Sequence, residues 1–112
     1  MALGLNGCPR CGTNQFGTPI IVDILKKEAY KQPTYYTIGH FSKFLPPDSV
    51  RIGYKLDKSI NNVFVLSMKR PDNAIVVVVL NRNDSEIDLQ INDTNNHLTH
   101  TIPARSIQTY IW

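Results

Sequence analysis

Seven consecutive apolar residues, Ala74 to Leu80, stand in a region where apolar and polar positions otherwise alternate. An unbroken run of this length is apolar on both faces of a strand, so it predicts a central strand covered on each side. Around it the period is two. Val50, Ile52, Tyr54 and Leu56 alternate with Arg51, Gly53 and Lys55, which predicts a half-buried strand over 49–56. Phe64, Leu66 and Met68 share one face of 62–69, and Arg70-Pro71-Asp72-Asn73 is turn chemistry. Glu86 to Asn92 alternates without a slip, and further strands are expected at 97–102 and 106–112. Half a dozen short strands with turns every 8–12 residues predict an antiparallel β-sandwich.

Before Pro47 the pattern differs. Ile20-Ile21-Val22 is a β-branched run and predicts a short strand. Pro33 suits a first helical position, and Tyr35, Ile38, Phe41 and Leu45 follow at steps of three, three and four. Phe44 widens that stripe. Pro46-Pro47 stops the helix, because proline blocks continuation and disfavours the α region before it. An amphipathic helix of roughly three turns is expected, its aromatic face turned to a core.

Composition narrows the class. Apolar content of 42% and charged content of 19% over 112 residues suit one ordinary domain or a piece of a larger one. The net charge of +3 comes from scattered residues, with only Lys26-Lys27 and Lys69-Arg70 adjacent, so nucleic acid is not an expected partner. No run approaches the ~18 apolar residues of a membrane span. Met1 to Asn6 lacks the basic start and the apolar length of a signal peptide, and none is expected in this chain. Both ends fall inside apolar segments and look cut rather than frayed.

Cys8-Pro9-Arg10-Cys11 is a CxxC with no matching second pair, followed by the loop-like Gly12-Thr13-Asn14-Gln15. Two loop thiols, a disulfide, and a metal or redox pair all remain open for Cys8 and Cys11. His97 and His100 fall on opposite faces of a strand, which disfavours a metal site there. No metal or cofactor is expected.

The segments "PIIVDI", "AYKQPTYYTIGHFSKFLPP", "VVVVLNR" and "SIQTYIW", in this order and spacing, resemble the C-terminal region of the glucosylceramidases of glycoside hydrolase family 30. The likeness runs from about Pro19 to Trp112. It implies an α+β fragment: the last strand and helix of a (β/α)8 barrel, followed by an antiparallel β-sandwich. Residues 1–47 would close the barrel, with a loop that lends a strand to a small sheet, and residues 48–112 would form the sandwich. The aromatic helix would then be the last barrel helix, its stripe packed on the barrel sheet.

The same likeness implies an activity: retaining hydrolysis of glucosylceramide to glucose and ceramide, in sphingolipid catabolism. It implies a lysosomal, membrane-associated setting, and as partners glucosylceramide, a lipid surface and a saposin-type activator. Retaining glycosidases use two carboxylates about 5–5.5 Å apart. In this family both are glutamates on barrel strands upstream of the matched region. The chain's two glutamates, Glu28 and Glu86, sit in Lys27-Glu28-Ala29 and on the polar face of an alternating strand. Neither has the Asn-Glu setting of a family acid/base, so no catalytic residue is assigned and the isolated chain is expected to be inactive. A whole barrel needs ~250 residues, more than the chain has. The family's Gly-Gly-Pro-Asn-Trp-like loop is replaced by Gly7-Cys8-Pro9-Arg10-Cys11-Gly12, without tryptophan, and no substrate-rim role is carried over to Asn14, Gln15 or Phe16.

Two sequons, Asn83-Asp84-Ser85 and Asn92-Asp93-Thr94, make Asn83 and Asn92 candidate N-glycan acceptors. The competing reading is a free-standing β-sandwich that binds carbohydrate or protein. A small metal or redox module built on the CxxC is the third.

Overall fold

A computed structural model describes residues 2–4, 18–94 and 96–112. Cys8, Cys11 and Asn14 to Phe16 lie outside the described residues. The chain divides into two compact units, Met1–Ser42 and Lys43–Trp112.

The first unit holds a three-stranded sheet and one helix. Strand β1 (Ala2–Gly4) runs parallel to β2 (Ile20–Asp23), with Leu3 opposite Ile21. Strand β3 (Glu28–Lys31) returns antiparallel beside β2, with Val22 opposite Ala29. The β2–β3 turn is built by Asp23, which is buried: its Oδ1 accepts from the Leu25 and Lys26 N–H groups, each at 3.1 Å. Lys27 closes the turn at φ 56°, the left-handed region. β3 carries no apolar alternation, and all four of its residues are exposed. Its ladder to β2 holds it in place, so the pattern of its side chains gave no sign of it.

Helix α1 (Pro33–Ser42) begins at proline as expected, with the Tyr35 N–H donating to Gln32 O at 2.9 Å. It ends at Ser42, three residues before Leu45, so Leu45 leaves the helical stripe. None of its residues is buried; Ile38 is 51% and Phe41 40% exposed. The stripe that the spacing predicts is present, without a covering layer among the described residues.

The second unit holds two antiparallel layers. One is a four-stranded sheet in the order β4 (Val50–Arg51), β5 (Val63–Lys69), β6 (Ile75–Asn81), β9 (Ser106–Ile111). The other is the hairpin of β7 (Ile87–Asn92) and β8 (His97–Ile102). Pairing of Val77 with both Ser67 and Tyr110 sets the register across the centre of the sheet. Val76, Val77, Val78 and Val79 are 0%, 6%, 3% and 0% exposed, so β6 is buried on both faces, as its unbroken apolar run predicts.

The core between the layers comes from one parity of each strand. Val77 and Val79 of β6 meet Ile102 of β8, with Val65, Ile87, Leu89, Ile91 and Tyr110 packed around them. Each β7 residue alternates between half-buried and exposed, which is the two-residue period made visible. On the opposite face of the sheet, Phe64 lies across from Leu80 and Ile111 across from Val76, and both stay exposed.

One expected strand is much shorter than its pattern. Over 49–56 only Val50 and Arg51 pair in a ladder. Beyond them the chain stays beside β5 through other bonds. The Ile52 N–H donates to Ser67 O at 3.1 Å, the Ser67 hydroxyl donates to Ile52 O at 2.8 Å, and the Tyr54 hydroxyl donates to Val65 O at 3.1 Å. Side-chain hydroxyls replace the ladder, which alternation alone cannot foresee.

Candidate functional site

The expectation that the chain holds no acid/nucleophile pair depends on where each carboxylate goes. In the first unit, Asp23 is spent on its turn, and Glu28, on exposed β3, accepts from the Tyr30 hydroxyl. That bond holds the Tyr30 phenol above its ordinary range, with burial and the Asp23 charge adding to it. In the second unit, Asp72 pairs with Arg70 at 2.8 Å, Asp84 with Arg105, and Asp88 accepts from the Thr101 hydroxyl at 2.8 Å. Glu86 is exposed in the turn that precedes β7. These contacts fasten turns and strand edges, and all leave their carboxylates at or near the surface except that of Asp23.

The histidines separate as strand geometry requires. His97 lies on the outward row of the hairpin with Gln90, Asn92 and Thr99, all within hydrogen-bonding reach. His100 turns the other way and meets the Tyr110 ring edge-on, with centroids 6.0 Å apart. Burial raises the Tyr110 hydroxyl's pKa. No cluster of three metal-ligating side chains occurs among the described residues.

A cleft of about 430 Å³ lies in the second unit beside the short β4. Tyr54, Ser67, Val77, Leu89, Asp93 and Trp112 are among its lining residues. Trp112 donates its indole N–H to Asp93 Oδ2 at 3.2 Å. Asp93 is held below the usual carboxylate range, first by the Thr94 N–H and then by that indole. The partners are nineteen positions apart, and nothing in their local sequence marks the pair. The cleft has an aromatic wall and one stabilised carboxylate, a lining suited to stacking and hydrogen bonding. A second carboxylate is not among its lining residues, so it offers no two-carboxylate chemistry.

The two candidate glycan acceptors occupy different settings. Asn83 is half-buried, and its Nδ2 donates to Asn61 O at 3.0 Å. Asn92 is exposed at the end of β7.

Residues 48–110 match the glycosyl hydrolase family 30 β-sandwich domain, and residues 1–45 match the TIM-barrel domain of the same family. The chain belongs to glycoside hydrolase family 30. It is 42% identical over 113 aligned positions to lysosomal acid glucosylceramidase of Mus musculus, covering all of this chain and 22% of that protein. It is 33% identical to putative glucosylceramidase 3 of Caenorhabditis elegans, again over the whole chain and 22% of the relative. The fold recurs in solved structures. SrfJ from Salmonella typhimurium superposes with a TM-score of 0.90 at 24% identity, covering 99% of this chain and 24% of that one. The endo-β1,6-glucanase BT3312 superposes with a TM-score of 0.86 at 23% identity, covering 99% and 25%. The family 30 chain described here therefore joins a barrel end to a β-sandwich and spans about a fifth of its glucosylceramidase relatives.

Proposed function

We propose that this chain is the C-terminal portion of a glucosylceramidase-type glycosidase that hydrolyses glucosylceramide by a retaining mechanism. In this reading residues 1–47 close the barrel, residues 48–112 form the sandwich, and the catalytic carboxylates come from barrel strands outside this sequence. The observation that carries it is the 42% identity to a lysosomal glucosylceramidase across the barrel-to-sandwich junction, with residues 46 and 47 between the two family matches. The setting is lysosomal, at a lipid surface, with a saposin-type activator as partner.

The chain by itself is non-catalytic. Glu28 and Glu86 are exposed, one bonded to a tyrosine and the other at a turn, and Asp23, the carboxylate opposite Glu28, is buried and bonded to the N–H groups of its own turn. The test has two arms. The purified chain is assayed on a fluorogenic β-glucoside at acidic pH, where no turnover is expected. Turnover abolished by Glu28→Gln or Glu86→Gln would overturn the reading. The chain joined to the remaining barrel of a family 30 relative is expected to release glucose from glucosylceramide.

The aromatic cleft supports a second reading, a free-standing carbohydrate-binding module, through Tyr54 and Trp112 at its wall. Saturable binding of soluble glucans to the isolated chain, lost in Trp112→Ala, would favour it over the first.

A further inference from the structure

We propose that Asn92, and not Asn83, is the N-glycan acceptor of this chain. The inference rests on the lysosomal reading, which brings the chain through a secretory lumen. In the modification, asparagine Nδ2 attacks the anomeric carbon of an oligosaccharide carried on a lipid pyrophosphate. The new N–C bond forms as the C–O bond to the pyrophosphate breaks. The lipid pyrophosphate leaves, and one Nδ2 proton passes to a base. Nothing is oxidised or reduced. The product bears a bulky sugar on Nδ2, so the native fold must leave that nitrogen facing solvent.

Asn83 does not meet this condition. It is half-buried, and its Nδ2 sits 3.0 Å from Asn61 O. Its N–H donates to Asn81 Oδ1 at 3.0 Å, and its carbonyl accepts from the Arg105 N–H at 3.0 Å. The hydroxyl residue of the same sequon, Ser85, is tied by its carbonyl to Asn81 Nδ2 at 2.9 Å. The whole tripeptide is fastened around buried Asn81.

Asn92 ends β7 on the outward row of the hairpin, in line with Asp88 and Gln90, and is exposed. Its bond to His97 uses Oδ1, the atom that glycan linkage leaves in place. Thr94, two residues on, is exposed in the turn. Both sequons carry aspartate in the middle, so that position does not separate them.

The test expresses the 112-residue chain behind a heterologous secretory leader in insect cells. Glycans are removed enzymatically in heavy-oxygen water, which tags each formerly glycosylated asparagine, and occupancy is read by peptide mass spectrometry. Because cells clear chains that cannot fold, retained material is dominated by chains whose glycan the fold accepts. Occupancy at Asn92 is expected to exceed that at Asn83 at least tenfold. Asn92→Gln should abolish the gel shift, and Asn83→Gln should leave it. Equal or reversed occupancy, or none at either site, would overturn the assignment. The leader supplies the lumen whatever the chain's own compartment, so such a failure would leave the lysosomal reading untouched.

Discussion

The indole of Trp112 is hydrogen-bonded to the carboxylate of Asp93 at 3.2 Å, which ties the last residue of the chain to the turn of the β7–β8 hairpin. That bond bridges the two layers of the sandwich, since β9 and the hairpin belong to different sheets.

Its pH dependence has a definite sign. Asp93 is held below its ordinary pKa by the Thr94 N–H and the indole, so its ionised form is favoured in the fold. The stabilisation is present above the unfolded carboxylate value of about 3.9 and fades as pH falls through the folded value. Asp93→Asn should lower Tm at neutral pH and flatten its decline toward acid. Thermal unfolding from about pH 6 to pH 2 checks this; parallel parent and variant curves would refute it.

Buried Asn81 carries the loops on either side of the sequon region. Its Nδ2 lies 2.9 Å from Ser85 O, 3.0 Å from Pro103 O and 3.4 Å from Ile102 O, and its Oδ1 accepts from the Asn83 N–H. Asn81→Asp replaces the donor with an acceptor and leaves those carbonyls facing a carboxylate. It should cost more than Asn81→Ala, which removes the partner at about 1–3 kcal/mol. Urea unfolding of both variants gives the order, and a milder Asp variant would contradict the clasp.

Strand β6 separates its faces from a one-sided strand by mutation. Val77 and Val78 point oppositely and are both buried. Val77→Asp and Val78→Asp should each cost several kcal/mol, the penalty of burying an unpaired charge or of keeping it neutral. Asp88→Lys and Gln90→Lys, on the exposed row of β7, should change stability by less than about 0.5 kcal/mol. Thermal unfolding of all four in the chain joined to a family barrel is the measurement. If either valine variant is as mild as the β7 pair, that face of β6 is open.

Helix α1 predicts association of the isolated chain. Tyr35, Ile38 and Phe41 lie exposed along one stripe, and contiguous apolar surface of that kind drives proteins together. Sedimentation velocity should show concentration-dependent oligomers, reduced by Ile38→Lys with Phe41→Lys. A monomer at all concentrations would count against this.

What could be read from residues alone was whatever a local period fixes. Ala74 to Leu80 could only be a doubly covered strand, and Glu86 to Asn92 could only alternate, because side-chain direction follows from the two-residue repeat. The same repeat placed His97 and His100 on opposite faces. Pro33 marked the start of the helix through backbone chemistry that needs no neighbours, whereas the helix ends at Ser42, ahead of Pro46-Pro47. The motif order indicated the family.

Tertiary structure decided the rest, because those features depend on partners distant in sequence. Strand β3 exists through its ladder to β2 and not through its own side chains. Residues 52–56 alternate like a strand, yet hydroxyls of Ser67 and Tyr54 take over the bonds a ladder would have made. The Asp93–Trp112 pair and the Asn81 clasp each join residues about twenty positions apart, where no periodicity operates. The two sequons are alike as strings of letters. They differ only once the fold has drawn one asparagine against Asn61 and left the other on the outer row of a hairpin.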